Sequence, residues 1–260
     1  MRIRSLAPLS LLLMPALAPA QEPSADELAK QLSNPVAALI SVPMQFNYDE
    51  TFGDEGYRYT LNVQPVIPVS ISEDWNMISR TIIPITYQND VRPGTDQAGF
   101  GDTVQSIFFS PKAPTDSGLI WGVGPAALIP TGTDDLGADT WALGPTGVFL
   151  WQKNGWTYGG LVNHLVDVGG SRRVDINSTF LQPFVARGFS GGRTLAVNME
   201  STYDWEAEQW TLPLNIQYSK VSKIGSQMVS YQGGVRAYLD KPSGGPDWGL
   251  RFTFTLLFPK

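Results

Sequence analysis

The sequence predicts an all-β protein: an antiparallel transmembrane β-barrel of about 12 strands, preceded by a short N-terminal helix. Three observations lead to this prediction. The N-terminus has the pattern of a secretory signal peptide. No later apolar run is long enough for a membrane-spanning helix. The last segment alternates apolar and polar residues over the length of a tilted membrane-crossing strand. Only helices and closed barrels satisfy the backbone inside lipid, so a membrane-spanning form of this chain is a barrel.

Residues 1–20 have the three parts of a signal peptide. Arg2 and Arg4 form a basic region, residues 6–17 form an apolar core, and Ala18-Pro19-Ala20 is a typical cleavage site. We therefore expect an exported mature chain that begins near Gln21.

The composition indicates many strands joined by turns. The chain has 26 glycines, 20 prolines, 12 phenylalanines, 9 tyrosines, 8 tryptophans and no cysteine. Without cysteine it has no disulfide, no thiolate metal site and no lipid anchor on a terminal cysteine. The net charge of -6 argues against nucleic acid as a partner. No linker divides the chain, so we expect an N-terminal helical segment over residues 21–41 and one barrel over residues 42–260.

The C-terminal segment shows the strand period most clearly. Apolar residues share one face, namely Trp248, Leu250, Phe252, Phe254, Leu256 and Phe258. Glycine, arginine and threonine occupy the other face at Gly249, Arg251, Thr253 and Thr255, and only Leu257 breaks the rule. A period of two over this length predicts a strand with one wholly apolar face.

Eleven earlier segments carry strand signals of this kind, and about half of the full set alternates cleanly. The twelve predicted strands cover residues 42–51, 57–69, 75–88, 102–112, 119–130, 140–152, 156–168, 175–187, 194–205, 209–220, 227–239 and 248–258. An even number places both termini at the same end of an antiparallel barrel. Prolines within these strands predict bulges, or strands divided in two, at Pro65, Pro84, Pro125, Pro145, Pro183 and Pro213.

The apolar faces are predicted to face lipid and the polar faces to face an enclosed lumen. Aromatic residues lie near the strand ends, as in the girdles of membrane barrels, at Tyr48, Trp75, Trp121, Trp151, Trp156, Trp205, Trp210 and Trp248. The connections alternate between short turns and longer, more acidic loops, such as the predicted loop over residues 89–101. Short turns at one end and long loops at the other are typical of such barrels.

A helix is predicted over residues 25–33, where Ser24 is a typical N-cap and Glu27 completes a capping box. Leu28 and Leu32 share one helical face, and Asn34-Pro35 ends the helix. About twelve strands enclose a narrow pore, so this segment is a candidate plug through Glu27, Leu28, Leu32, Asn34 and Pro35. The alternative is a tail that packs against nothing.

Parity along the strands predicts which polar side chains line the lumen. The candidate selectivity residues are Arg58, Asn62, Gln64, Arg80, Asp102, Glu200, Asn215, Gln217, Arg236 and Arg251. The arginines fall on strands that flank the first strand once the barrel closes, and a field from them would favour anions such as carboxylates. In the alternative interpretation these charges pair with one another or with Glu27 and are structural.

Three segments resemble the outer-membrane proteins associated with the meta-pathway of phenol degradation: residues 26–35, 101–112 and 180–184. The resemblance covers most of the mature chain and implies an outer-membrane barrel that admits small, often aromatic or hydrophobic compounds. It brings no catalytic residue. Asn34-Pro35-Val36 also resembles the Asn-Pro-Ala near the N-terminus of long-chain fatty-acid channels. Here valine replaces alanine, and the leader is too short for their hatch domain.

Other functions have weaker support in the sequence. The single histidine, His164, lies beside Asn163, and a twelve-stranded membrane phospholipase family uses Ser, His and Asn, but no serine surrounds His164 in that family's pattern. No phosphate loop or metal cluster is present, so no enzyme activity, cofactor or metal is predicted. A non-conducting adhesin or structural barrel stays an alternative. The expected partners are membrane lipid and a small solute, and the sequence does not indicate an oligomeric state.

Overall fold

A computed structural model describes residues 23–52, 55–133, 135–170 and 175–259 of the chain. These residues form one antiparallel barrel of 12 membrane-length spans, closed by the pairing of the last strand, β16, with the first, β1, which confirms the predicted fold class. The predicted signal peptide lies outside the described residues.

Four spans consist of two shorter strands each. In chain order the elements are α1 (Ala25–Leu32), β1 (Ile40–Phe52), β2 (Gly56–Val63), β3 (Val66–Ser70), β4 (Trp75–Asn89), β5 (Asp96–Phe100), β6 (Thr103–Pro111), β7 (Leu119–Ile129), β8 (Thr140–Lys153), β9 (Trp156–Gly170), β10 (Asn177–Phe189), β11 (Arg193–Met199), β12 (Ser201–Asp204), β13 (Gln209–Thr211), β14 (Pro213–Ile224), β15 (Gln227–Tyr238) and β16 (Trp248–Phe258). The divided spans are β2 with β3, β5 with β6, β11 with β12, and β13 with β14.

The last strand closes the sheet on the first. β16 pairs with β1 in one register, from Ile40 opposite Phe258 to Glu50 opposite Trp248. Closure leaves no long unpaired edge, which an open sheet of this size would expose. We call the end that carries α1 and both termini of the barrel the turn end, and the opposite end the loop end.

Tight turns connect the strands at the turn end. Asn154 and Gly155 join β8 to β9 with φ of 51° and 76°, the left-handed pair that a two-residue hairpin requires. Several connections at the loop end are longer, including residues 130–139 between β7 and β8 and residues 239–247 between β15 and β16. One predicted loop is wrong, because Asp96–Phe100 continues the sheet by pairing with the last five residues of β4.

Two of the strand prolines divide a span. Pro65 separates β2 from β3, and Pro213 begins β14 after a break at Leu212. Pro84 lies where β4 changes partner from β5 to β6. A proline has no backbone N–H to donate, so these are positions where the ladder is already interrupted.

The other prolines lie within continuous strands. Pro125 pairs with Pro145 across β7 and β8, and Pro183 pairs with Gly160. The register shifts fall elsewhere, after Glu50 in β1 and after Trp141 in β8. The predicted bulges at the prolines are therefore wrong, and the alternative of divided strands holds at Pro65 and Pro213.

The two faces of the wall have opposite polarity. Outward side chains are apolar and exposed, such as Phe252 at 53% and Ile216 at 45%, whereas the adjacent inward residues Arg251 and Gln217 are 4% exposed. On these strands the enclosed side is thus the polar one. This is the reverse of a water-soluble barrel and the arrangement expected in lipid.

Aromatic residues form a girdle at each end of the outer wall. At the loop end, Tyr48, Tyr57, Tyr59 and Tyr87 form a chain of ring contacts with centroids 5.0–6.4 Å apart. At the turn end, Trp75 contacts Trp121 and Trp151 stacks on Tyr158, each pair with centroids 5.8 Å apart. Such girdles mark the two interfaces of a bilayer.

Candidate channel lumen

The N-terminal helix lies at the turn end of the barrel. Ser24 caps it by accepting a hydrogen bond from the Glu27 N–H at 3.2 Å, and it ends at Leu32, close to the prediction. Within the described residues no helix is long and apolar enough to cross a membrane. The Gly192 N–H donates to Asp26 at 2.5 Å, and the Gln152 amide donates to the Lys30 carbonyl at 2.9 Å. The helix is therefore held against the turn-end edge of the wall at two places.

An apolar cluster fixes the inner face of the helix. Leu28 is fully buried and packs with Leu39, Val221 and Leu257, with Leu32 at the edge. Leu257 is the residue that breaks the alternation of β16. Its side chain faces inward with the polar residues, and the helix supplies the apolar partner that makes this favourable.

Some of the predicted plug residues pack against the barrel, and others face solvent. Leu28 and Leu32 pack inward, whereas Glu27 is exposed and lines a cavity of about 450 Å³ between the helix and the wall. Asn34 accepts a hydrogen bond from the Val36 N–H at 3.0 Å and turns the chain after the helix, and Pro35 lies in this turn. A second cavity of about 280 Å³ lies on the other side of the helix.

One half of the inner wall is apolar. Beyond the helix, Val36 is buried among Ile78, Phe108, Val148, Leu150 and Leu161. Phe180, Phe184, Val66 and Ile120 pack against this cluster at its margin. We call these residues the apolar wall. It lies mainly on β6 to β10 and runs into the lumen from the turn end.

The other half of the lumen carries charged side chains that pair with one another. Arg251 donates two hydrogen bonds to the two carboxylate oxygens of Glu200, both at 2.7 Å, and its Nε donates to Asn47 at 2.7 Å. A bidentate arginine–carboxylate pair is among the strongest polar contacts in proteins. All three nitrogen groups of the guanidinium thus have partners.

A second ion pair lies beside the first. Arg236 Nη1 is 3.2 Å from Asp49 Oδ2, and Tyr238 donates its hydroxyl to the other oxygen of Asp49 at 2.9 Å. The Arg236 guanidinium also lies over the Tyr238 ring at 5.4 Å. Arg58 donates to Gln88 at 2.8 Å, and Arg80 donates to Gln64 at 3.2 Å.

These residues form one cluster, which we call the arginine cluster. Its charged members are Arg58, Arg80, Arg236, Arg251, Asp49 and Glu200, so four guanidinium groups face two carboxylates and two positive charges are in excess. Arginine–carboxylate pairing accounts for part of the arrangement, as the structural interpretation expected, but Glu27 takes no part because it is exposed at the turn end.

The remaining predicted lumen residues occupy different places. Asn215 is fully buried and donates to Asn198 at 2.8 Å, and Gln217 is 4% exposed on the same strand. Asn62 lies on β2 between Arg58 and Gln64 on the inward parity. Asp102 lies apart at the loop end, where its carboxylate accepts from the Gly132 N–H at 2.9 Å and the Ala138 N–H at 2.7 Å. It thus holds the β7–β8 loop.

Sequence reasoning missed several members of the site. Asn47, Asp49 and Tyr238 are central to the arginine cluster, and Val36 is central to the apolar wall. The parity of β1 places Asn47 and Asp49 on the polar face, so that signal was present.

His164 lies on the outer wall rather than in the lumen. Its Nδ1 is 2.9 Å from the Thr179 hydroxyl, which also accepts from the Trp205 indole at 2.9 Å. Asn163 has the opposite parity on β9 and faces the other side of the sheet. The hydroxyl beside the histidine is therefore a threonine, and Asn163 is not placed to orient the ring.

Comparison with known proteins gives a structural relationship. No family model matches the chain, and no curated protein matches it. The COG4313 outer membrane channel from Pseudomonas putida F1 superposes with a TM-score of 0.67, over 85% of this chain and 96% of that chain, at 13% sequence identity. Outer membrane phospholipase A from Escherichia coli gives 0.48 at 8% identity, over 89% of this chain and 98% of that chain. The Salmonella typhi phospholipase dimer with bound calcium gives 0.47 at 10% identity, over 93% and 99%. At these identities the relationship concerns the fold alone.

Proposed function

We propose that this chain is a channel of the bacterial outer membrane that admits small aromatic or hydrophobic compounds. The observation that carries the proposal is the division of the lumen into an apolar wall and a charged cluster within one closed, lipid-facing barrel. Supporting it are the shared fold with an outer membrane channel and the signal-peptide pattern at the N-terminus. The loop end faces the outside, and the turn end with its helix faces the periplasm.

The lumen suits a compound with an apolar body. Ile78, Phe108, Leu150 and Leu161 are nearly or fully buried in the apolar wall, and the lumen-side residues of most water-filled barrels are polar instead. These side chains are packed against one another and Val36, and the partly exposed margin of the wall, which includes Phe180 and Phe184, is the surface on which a small apolar solute would exchange water for apolar contacts. This agrees with the solute class that the resemblance to the phenol meta-pathway proteins implies.

The helix acts as a partial plug in this proposal. It is fixed through Leu28 and Asp26, and cavities remain on both of its sides between helix and wall. Solute that has passed the arginine cluster would leave through these clefts or after the helix moves aside.

Liposome swelling tests the proposal. Purified full-length protein is reconstituted, and swelling is followed in isotonic potassium benzoate with valinomycin, which lets potassium follow the anion through the lipid, and in isotonic arabinose. We expect faster swelling in benzoate than in arabinose, relative to protein-free liposomes. A non-conducting adhesin or structural barrel passes neither, and equal rates for both would indicate a general pore without an aromatic preference.

A further inference from the structure

The ion pair between Glu200 and Arg251 crosses the lumen instead of following the wall. Glu200 lies between β11 and β12, and Arg251 lies on β16, with β14 and β15 between them in the sheet. Arg80 lies on β4, half-way round the barrel from Glu200, and still interacts electrostatically with it. Glu200 and Arg80 therefore interact across the lumen from opposite sides of the barrel, and Arg251 is the second cationic partner of Glu200.

The two partners of this pair are not equally fixed. The Arg251 side chain is 2% exposed and is also held by Asn47, whereas the Glu200 side chain is 21% exposed. Arg251 is thus a preorganised carboxylate-binding group, and Glu200 is the partner with the freedom to leave it. A bidentate guanidinium site of this kind fits any carboxylate.

Further polar atoms without a partner lie on the same wall. Among the described residues, Arg236 Nε, Asn215 Oδ1 and Thr253 Oγ1 are buried atoms with no hydrogen-bond partner. They come from the adjacent strands β14, β15 and β16, and the Arg236 side chain is only 9% exposed. Buried polar atoms normally have partners, so these atoms indicate a place for a polar ligand or water beside Arg251.

Apolar side chains flank Glu200. On β10, Leu181 pairs with Ser201 and Phe184 pairs with Asn198, so Gln182 lies opposite Glu200, and Phe180 and Phe184 lie on either side of Gln182 on the same face. Both phenylalanines belong to the apolar wall. A ligand whose carboxylate replaces that of Glu200 would place its remaining atoms next to these rings.

We propose that Glu200 occupies the position of a solute carboxylate, and that the channel selects small amphipathic monocarboxylates with a compact aromatic or hydrocarbon body. The solute carboxylate exchanges with Glu200 at Arg251, with Arg80 nearby, while its body packs against Phe180 and Phe184. The exchange replaces one carboxylate by another, so the guanidinium is never left buried without a counter-ion. A neutral solute or a cation offers no such replacement, and the two excess positive charges repel the cation. This inference rests on the proposed function and names its solute class.

Conductance in planar bilayers tests the exchange. The full chain and two variants are compared, Glu200→Gln in the lumen and Glu206→Gln on an exposed loop as the matched control. We expect Glu200→Gln to raise the chloride-to-potassium permeability ratio and to tighten block of the chloride current by benzoate about tenfold, because the internal competitor is gone. Glu206→Gln should behave as the unchanged protein.

A second comparison tests whether the body of the solute packs against apolar side chains. Benzoate should block the chloride current more strongly than acetate, and Phe184→Ala should reduce that difference. If Glu200→Gln does not fold into a barrel, as judged by the heat-dependent shift of its mobility on a gel, Glu200→Asp replaces it. The shorter side chain reaches Arg251 poorly, so it should change benzoate block in the same direction. Benzoate block that is the same in the Glu200 variant, the Glu206 variant and the unchanged protein overturns the inference. Failure of the unchanged protein to conduct at all contradicts the proposed function instead.

Discussion

At the scale of single residues, the loop end depends on Asp102. Its carboxylate accepts hydrogen bonds from the Gly132 and Ala138 amides, so it joins the beginning and the end of the β7–β8 loop. A side chain at Gly132 would place its Cβ 2.8 Å from Asp102 Oδ1 and 2.5 Å from the Gly137 Cα, which leaves room for glycine alone. The loop is therefore folded tightly around one carboxylate.

We expect Asp102→Ala to open this loop without unfolding the barrel. Loss of charged hydrogen bonds to two amides should lower the free energy of local opening by about 2 kcal/mol, which corresponds to roughly thirtyfold faster amide exchange at 132 and 138. Hydrogen exchange read by mass spectrometry measures this. Asp116→Ala, on an exposed turn at the opposite end, is the control and should leave the exchange of residues 130–139 unchanged. Equal exchange in both variants would show that the loop is held by other contacts.

Residue parity explains how much of the site the sequence could predict. The period of two places Arg251 and Arg236 on the polar face of their strands, and the structure has both facing the lumen. Parity does not identify the partner of an inward side chain. Two side chains on distant strands meet only if they lie at the same height in the barrel and the closed sheet brings their strands together. Glu200 is 51 residues from Arg251 in the chain, and Asp49 is 187 residues from Arg236. No local pattern relates such positions.

At the scale of elements, the presence of a strand was easier to predict than the residues at which it begins and ends. Asp96–Phe100 falls within the predicted loop over residues 89–101 and contains Asp, Ala and Gly, which are poor strand formers, yet it pairs with β4 as a continuation of the sheet. The partner strand, not the intrinsic preference, decides its conformation. Leu257 shows the converse, since its departure from alternation was a sign of the helix that packs on it.

The helix is the element whose function is most directly testable. We expect Leu28→Asp to release it from the turn end, since the carboxylate would be buried without a partner among Leu39, Val221 and Leu257. Conductance should then rise and residues near the helix should become sensitive to protease. Lys30→Asp places the same side chain on the exposed face and should change neither property. A helix that becomes protease-sensitive while conductance stays the same would not be a plug.

At the scale of the whole molecule, two environments account for the choice of residue on each face. The wall presents apolar side chains outward, whereas inward it presents the apolar wall on one side and the arginine cluster on the other, where the polar residues pair with one another. Arg236 pairs with Asp49 over Gly249 of the intervening strand β16, and Arg251 pairs with Glu200 three spans away, so both inward charges have counter-ions on other strands. Isolated charges would be far less favourable there, so pairing and barrel closure depend on each other.

Because the outer face contacts lipid, the loss of stability caused by a charged side chain on that face should depend on its depth in the membrane. Phe252 lies near the middle of β16, opposite Phe46, and Phe258 lies at its turn end, opposite Ile40. Phe252→Arg should lower the free energy of unfolding in lipid vesicles by about 2–4 kcal/mol, whereas Phe258→Arg should cost at most about 1 kcal/mol because its guanidinium reaches the interface. Urea unfolding of the reconstituted protein, followed by tryptophan fluorescence, measures both. In a water-exposed wall the two substitutions would cost about the same, since each removes one exposed ring. A clear difference between them therefore depends on the hydrocarbon layer around the middle of the strand.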